Sequence, residues 1–145
     1  GDYSKGIFLE IDGEVYMKPI EMRAEVLENF DSLTSKELLS VPTIDVEKDT
    51  FSFGTITVNE KVTIPVKITN KGKRNLIIRK VESDCTCTAA IIGNRIVGIN
   101  DSVILKIVFR PMGRYGRQYK TIKLYCNDPH LPVIKLIIHG DVTVN

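Results

Sequence analysis

Cysteine is scarce in this 145-residue chain, and its three residues are an odd number, so no complete disulfide framework can be read from them. Charge of one sign is lacking as well, because 20 Lys+Arg stand against 18 Asp+Glu for a formal net charge of +2. With a pI near 8.4 the chain is less basic than a typical nucleic-acid protein. Long apolar runs are absent. The longest, such as Ile134–Ile138, are a few residues and carry Lys135, far short of the ~20 that a membrane helix needs. There is no glycine-rich phosphate loop and no carboxylate-rich metal motif, since Asp12-Gly13-Glu14 has the chemistry of a hairpin turn. The chain opens on Gly1 without a basic-then-apolar leader, from which we expect a removed targeting segment or a start inside a longer protein. What remains is an ordinary globular composition, 43% hydrophobic and 26% charged, which excludes wholesale disorder. The length suits one domain of roughly 100–150 residues.

Alternation dominates the pattern. Val62, Ile64, Val66 and Ile68 are apolar at every second position, as are Val103, Leu105, Ile107 and Phe109, then Ile122 and Leu124, then Ile134, Leu136 and Ile138. A period of two buries one face of a strand and exposes the other. Turn residues separate the runs at Asn70–Lys73, Gly93-Asn94, Asn100-Asp101, Gly113-Arg114 and Asn127–Pro129. Strands about ten residues apart, with no helical pattern among them, predict an all-β, immunoglobulin-like antiparallel sandwich of about seven strands over residues 43–145. Pro65 within one run predicts an edge position or a bulge.

The first forty residues do not fit that sandwich. Lys5–Leu9 is similar to Lys120–Leu124, and Ile20–Val26 to Leu136–Val142, at offsets of 115 and 116. An internal repeat outweighs weaker signals, so residues 1–27 read as the closing hairpin of a preceding domain. Two bare strands invite pairing, which predicts that the hairpin packs on its own sandwich or forms a homodimer with a second copy. Residues 28–42 read as a linker with a short helix: Thr34 and Glu37 match a capping box, and the helix must end before Pro42.

Phe51-Ser-Phe53-Gly54, Asn70-Lys-Gly72, Leu76-Ile-Ile78, Asp84-Cys85-Thr-Cys87-Thr88, Phe109, Asn127-Asp128 and Gly140-Asp-Val142 resemble, in order and spacing, a bacterial Ig-like family of unknown function. That family is related to Hydin-type, major-sperm-protein-like and pilus-chaperone-like sandwiches, and is abundant in exported Bacteroidota proteins, often in tandem. The resemblance covers residues 43–142. Two turns depart from the family pattern: Thr86 replaces Gly between the cysteines, and Asn100-Asp101 replaces Pro-Gly. The first argues against a positive-φ turn at residue 86.

Cys85 and Cys87 are the sharpest chemical feature. Clamping one metal with both thiolates needs a turn rather than an extended strand, and no second pair of cysteines or histidines follows. The expected role is structural, one cysteine packing as a small apolar residue and the other ending a strand. The alternative is a thiol-redox or metal-binding role, with Arg79 and Lys80 upstream. Cys126 shares the parity of Ile122 and Leu124 and is expected as a single buried thiol, too far along its strand to bridge to the pair. His139 faces outward with Asp141 at i+2, but no nucleophile can be placed beside it. Lys71, Lys73 and Arg74 form one basic loop; Arg110, Arg114, Arg117 and Lys120 form a second basic group. Such charges normally solvate turns, and the functional alternative is a patch for a polyanion or anionic glycan. Tyr115 and Tyr119 are too few to stack single-stranded bases, so no nucleic-acid partner is expected. The resemblance, with no catalytic or cofactor motif set against it, implies a non-catalytic, cofactor-free module of an exported bacterial envelope protein, periplasmic, cell-surface or secreted, binding protein or glycan partners through strand edges or loops.

Overall fold

A computed structural model describes residues 2–8, 10–15, 20–25 and 29–144. The chain divides into two compact units, Gly1–Ser32 and Leu33–Asn145.

In the first unit β1 (Asp2–Ile7) pairs antiparallel with β4 (Ile20–Glu25). Between them β2 (Glu10–Ile11) and β3 (Glu14–Val15) form a minimal hairpin. Its turn residues Asp12 and Gly13 have φ of 54° and 82°, the left-handed pair that a two-residue type I′ turn demands. The expected strand ends at Leu9 and Val26 lie outside the described residues. Lys5 is opposite Met22, Gly6 opposite Glu21 and Ile7 opposite Ile20.

The second unit is an immunoglobulin-like β-sandwich. It opens with α1 (Ser35–Leu38), a single turn whose N-cap is the expected Thr34: the Glu37 amide donates to Thr34 Oγ1 and the Thr34 amide to Glu37 Oε2. Then come β5 (Ile44–Val46), β6 (Thr50–Thr57), β7 (Val62–Asn70), β8 (Leu76–Ser83), β9 (Thr88–Ile92), β10 (Ile96–Val97), β11 (Ser102–Phe109), β12 (Gly116–Cys126) and β13 (Val133–Thr143). One sheet runs β10-β8-β12-β13-β6, the other β5-β7-β11-β9. The described residues thus give nine sandwich strands instead of about seven. The two extra ones, β5 and β10, are too short to show a period. One pair is also not antiparallel, because β6 runs parallel to β13. The chain switches sheets between β5 and β6, and after that switch it meets the last strand in the same direction.

The alternating apolar residues are the core. Ile64, Val66 and Ile68 of β7 and Leu105, Ile107 and Phe109 of β11 are buried against Ile122, Leu124, Ile134, Leu136 and Ile138 of the opposite sheet. Burying each such side chain contributes roughly 1.5–3 kcal/mol. Val62 and Val103, at the ends of their runs, are only partly covered. Pro65 lies on β7 where β5 no longer pairs with it, since that contact covers only Ile68–Asn70. The expected edge position is found. In β12–β13, Lys120 is opposite Ile138, Thr121 opposite Ile137 and Ile122 opposite Leu136. Adding the sequence offsets of 115 and 116 to the hairpin pairs Lys5–Met22 through Ile7–Ile20 reproduces this register.

Candidate functional site

The family-motif residues are largely consumed by the fold. Gly54 has φ +71°, a conformation that favours glycine, and it sits at a bulge where the β6–β13 register shifts between His139 and Gly140. The bulge turns Phe53 inward onto Phe109, with ring centroids 5.0 Å apart. A Cβ on Gly140 would overlap the Gly54 carbonyl and the Phe53 ring, so Phe53, Gly54 and Gly140 form one packing unit beside half-buried Phe51. Asn70, fully buried, donates through Nδ2 to the carbonyls of Arg74 (2.7 Å), Val97 (3.0 Å) and Gly98 (3.1 Å). Its Oδ1 accepts from the amides of Gly72 (2.9 Å) and Thr43 (3.3 Å). Gly72 passes so close to Val41–Thr43 that no side chain fits there. Asn127 Oδ1 accepts from the Ile77 amide at 2.7 Å, and buried Asp128 accepts from the amides of Ile44 and His130, each at 2.9 Å. Among the described residues no buried side-chain polar atom lacks a partner.

The cysteine pair is the exception. Cys85 and Cys87 are joined in a disulfide across a single intervening residue, a pairing that the sequence reading did not assign. Strand alternation does not apply to them, because β8 ends at Ser83 and residues 84–87 turn. The Thr88 amide closes that turn on the Cys85 carbonyl at 3.0 Å. Thr86 is not among the positive-φ residues, so the turn forms without glycine. At the other departure from the family pattern, Asn100 takes φ +59° and donates its amide to the Asn70 carbonyl, a conformation asparagine tolerates well. Cys126 is a buried thiol outside the disulfide, donating to the Leu131 carbonyl at 3.3 Å. Its opposite residue on β8 is Ile78, while Ser83 faces Ile122, which keeps it remote from the pair as expected.

The basic residues do not converge. Lys71, Lys73 and Arg74 lie in the turn after Asn70, near Ser102. Arg110 and Arg114 follow Phe109, at the opposite end of the same strands. Lys71 pairs with Asp45 at 2.8 Å and Arg117 lies 3.9 Å from Asp141, while the Arg114 guanidinium donates to the Pro111 carbonyl. The two basic groups thus stay two separate loops. His139 stacks on exposed Tyr119, with ring centroids 5.8 Å apart. Ile44, Val46, Asp49, Leu131, Val133 and Lys135 are among the residues lining an open depression of about 390 Å³ beside the β5–β6 switch. Among the described residues no group of three or more His, Cys, Asp and Glu side chains is placed to hold a metal ion, and no helix is long and apolar enough to cross a membrane.

The sheet edges differ in how they are guarded. β5 and β10 are three and two residues long, and β6 carries the Phe53–Gly54 bulge. Among the described edge strands of the sandwich, only β9, Thr-Ala-Ala-Ile-Ile, has none of the short length, charge, proline or bulge that blunts an edge. The Arg110 amide donates to the Cys87 carbonyl at 2.9 Å while Phe109 faces Thr88. Antiparallel alternation then turns the backbone groups of Ala89 and Ile91 towards β11 and those of Ala90 and Ile92 away from it. The side chain of Ile91 is 56% exposed. The sequence showed this edge only as an uncharged stretch without alternation.

Residues 44–142 match the family described as "Protein of unknown function (DUF1573)". The chain belongs to this family. No curated protein matches it in sequence. A crystal structure of a protein of unknown function from Porphyromonas gingivalis is similar over 97% of this chain and 66% of its own length, so the chain spans just under two thirds of that protein; the TM-score is 0.72 at 16% identity. The PapD-like domain 7 of human CEP192 is similar over 84% of this chain and 98% of that one, with a TM-score of 0.62 at 11% identity. The VesB protease of Vibrio cholerae is similar over 69% of this chain and 31% of its own, with a TM-score of 0.56 at 12% identity. These likenesses show a PapD-like, Ig-like fold in the DUF1573 chain.

Proposed function

We propose that this DUF1573 chain is a non-catalytic interaction module that captures an extended protein segment by adding it as a strand to β9. The observation that carries this reading is the unguarded edge, with the outward backbone groups of Ala90 and Ile92 and the exposed side chain of Ile91 beside them. Strand addition draws affinity from main-chain hydrogen bonds and specificity from alternate side chains. That chemistry favours a protein segment over a glycan, whose basic contacts would be divided between two ends of the sandwich. Placement in an exported bacterial envelope protein is supported by the motif order and by the Cys85–Cys87 disulfide, a bond that persists in oxidising compartments. The register shared by β1–β4 and β12–β13 supports reading the N-terminal hairpin as the closing hairpin of a preceding copy.

Peptides selected from a random display library against the immobilised chain test the reading. Bound peptide should slow amide exchange at Ala90 and Ile92. Ala90→Pro, which removes an outward N–H while leaving the bonds to β11 intact, should weaken binding by roughly tenfold, the worth of about one hydrogen bond. Ile91→Lys should do the same by charging the edge. A selection yielding only peptides that leave those amides unprotected and tolerate both substitutions would sink the proposal.

A further inference from the structure

The Cys85–Cys87 bridge encloses one residue, so it restricts the unfolded chain far less than a bridge between distant strands, and its worth as a staple is small. The loop is instead anchored by bonds that do not involve sulfur. Asp84 donates its amide to the Thr121 carbonyl and accepts the Thr121 amide on Oδ2. Ser83 Oγ reaches the carbonyls of Cys85 and Thr88, and Arg110 donates its amide to the Cys87 carbonyl. Opening the bridge therefore leaves the two sulfurs on a held backbone.

The sulfurs are also unequal. Cys85 is half-buried and Cys87 is only 2% exposed, so an incoming thiolate reaches Cys85. The Cys87 amide lies 3.1 Å from Cys85 Sγ, a donor that favours thiolate on that sulfur when it is reduced. The Thr88 hydroxyl lies 3.7 Å from Cys87 Sγ, where it can donate to the thiolate displaced there.

We infer that Cys85 and Cys87 form a thiol–disulfide exchange site with Cys85 as the entry sulfur and a protein dithiol as the partner. A partner thiolate attacks Cys85 Sγ; a mixed disulfide forms, the Cys85–Cys87 bond breaks, and Cys87 leaves as thiolate and takes a proton from solvent. The partner's second thiolate then attacks its own sulfur in the mixed disulfide and releases Cys85. The partner dithiol ends as a disulfide and the chain as a dithiol, two electrons and two protons having passed. The reverse sequence oxidises the chain.

Incubation of the full chain in glutathione buffers of graded poise, with acid quenching, maleimide tagging and intact mass measurement, tests this. Two tags should appear together in excess reduced glutathione and vanish in excess oxidised glutathione, with Cys126 untagged and the circular dichroism spectrum unchanged. Oxidised glutathione should leave one adduct on a Cys87→Ala chain, at least about tenfold faster than on a Cys85→Ala chain, because access to the attacked or attacking sulfur governs exchange. The inference is overturned by a bridge that resists excess dithiothreitol in the folded chain, a reduced pair that oxidised glutathione does not close, or loss of the fold on reduction. Equal adduct rates in the two variants overturn the assignment of the entry sulfur. The unsubstituted chain alone decides the exchange, should a variant fail to fold.

Discussion

Asn70 joins three segments that lie far apart in the chain: the entry at Thr43, the turn at Gly72–Arg74 and the bend at Val97–Gly98. Its side chain makes five hydrogen bonds in a fully buried position, and no other residue type presents two donors and an acceptor in that volume. Asn70→Ala removes the acceptor of two amides and a donor to three carbonyls, of which Gly98 keeps the Asp101 amide, and each group left bare costs roughly 1–3 kcal/mol where water does not replace the bond. We expect a loss of about 3 kcal/mol or more in urea unfolding at neutral pH; a loss under about 1 kcal/mol would show that water re-satisfies the site. The motif pattern pointed to Asn70, Gly72, Gly54 and Gly140 without saying what each does. Their roles depend on which backbone passes beside them, and that is set by contacts between distant parts of the chain. The cysteine bridge was illegible for a related reason: strand alternation gives no rule for a pair that sits in the turn after β8.

At the scale of elements, α1 is held by its capping box rather than by packing, since none of its residues is buried. The Thr34 amide and hydroxyl both donate to Glu37 Oε2, and this backbone bond, then the hydroxyl bond, holds the Glu37 carboxyl below its ordinary value of 4.5. A carboxylate whose folded pKa is depressed contributes stability that is fully present above its unfolded value and is lost as pH falls through the folded one. The amide shifts of Thr34 and Glu37 should therefore titrate together with a midpoint below 4.5, and Glu37→Gln should abolish that titration. A midpoint at or above the ordinary value would refute the box in solution. This helix start was legible because both partners lie within four residues. The long strands were legible because their period spans several residues, whereas β5 and β10 are shorter than two periods. The parallel pairing of β6 with β13 joins residues more than eighty positions apart, and no local pattern encodes it.

For the whole molecule, the two units are unequal in what they bury. Every buried hydrophobic residue among those described lies between Ile44 and Val142, so the sandwich carries its own core, while a two-stranded hairpin is marginal in water by itself. A chain of residues 33–145 should consequently unfold within about 5 °C of the 145-residue chain, the shift expected of roughly 1 kcal/mol in a domain of this size. The hairpin's own contribution should show in assembly instead. Its strands are paired to each other in the register of β12–β13, and on the proposed reading of this hairpin as the end of a preceding copy, a second chain can pair with it. Light scattering should then give twice the monomer mass for the full chain and a single mass for residues 33–145. Equal masses would remove the homodimer. A melting point lower by 10 °C or more would show instead that residues 1–32 stabilise the sandwich of the same chain.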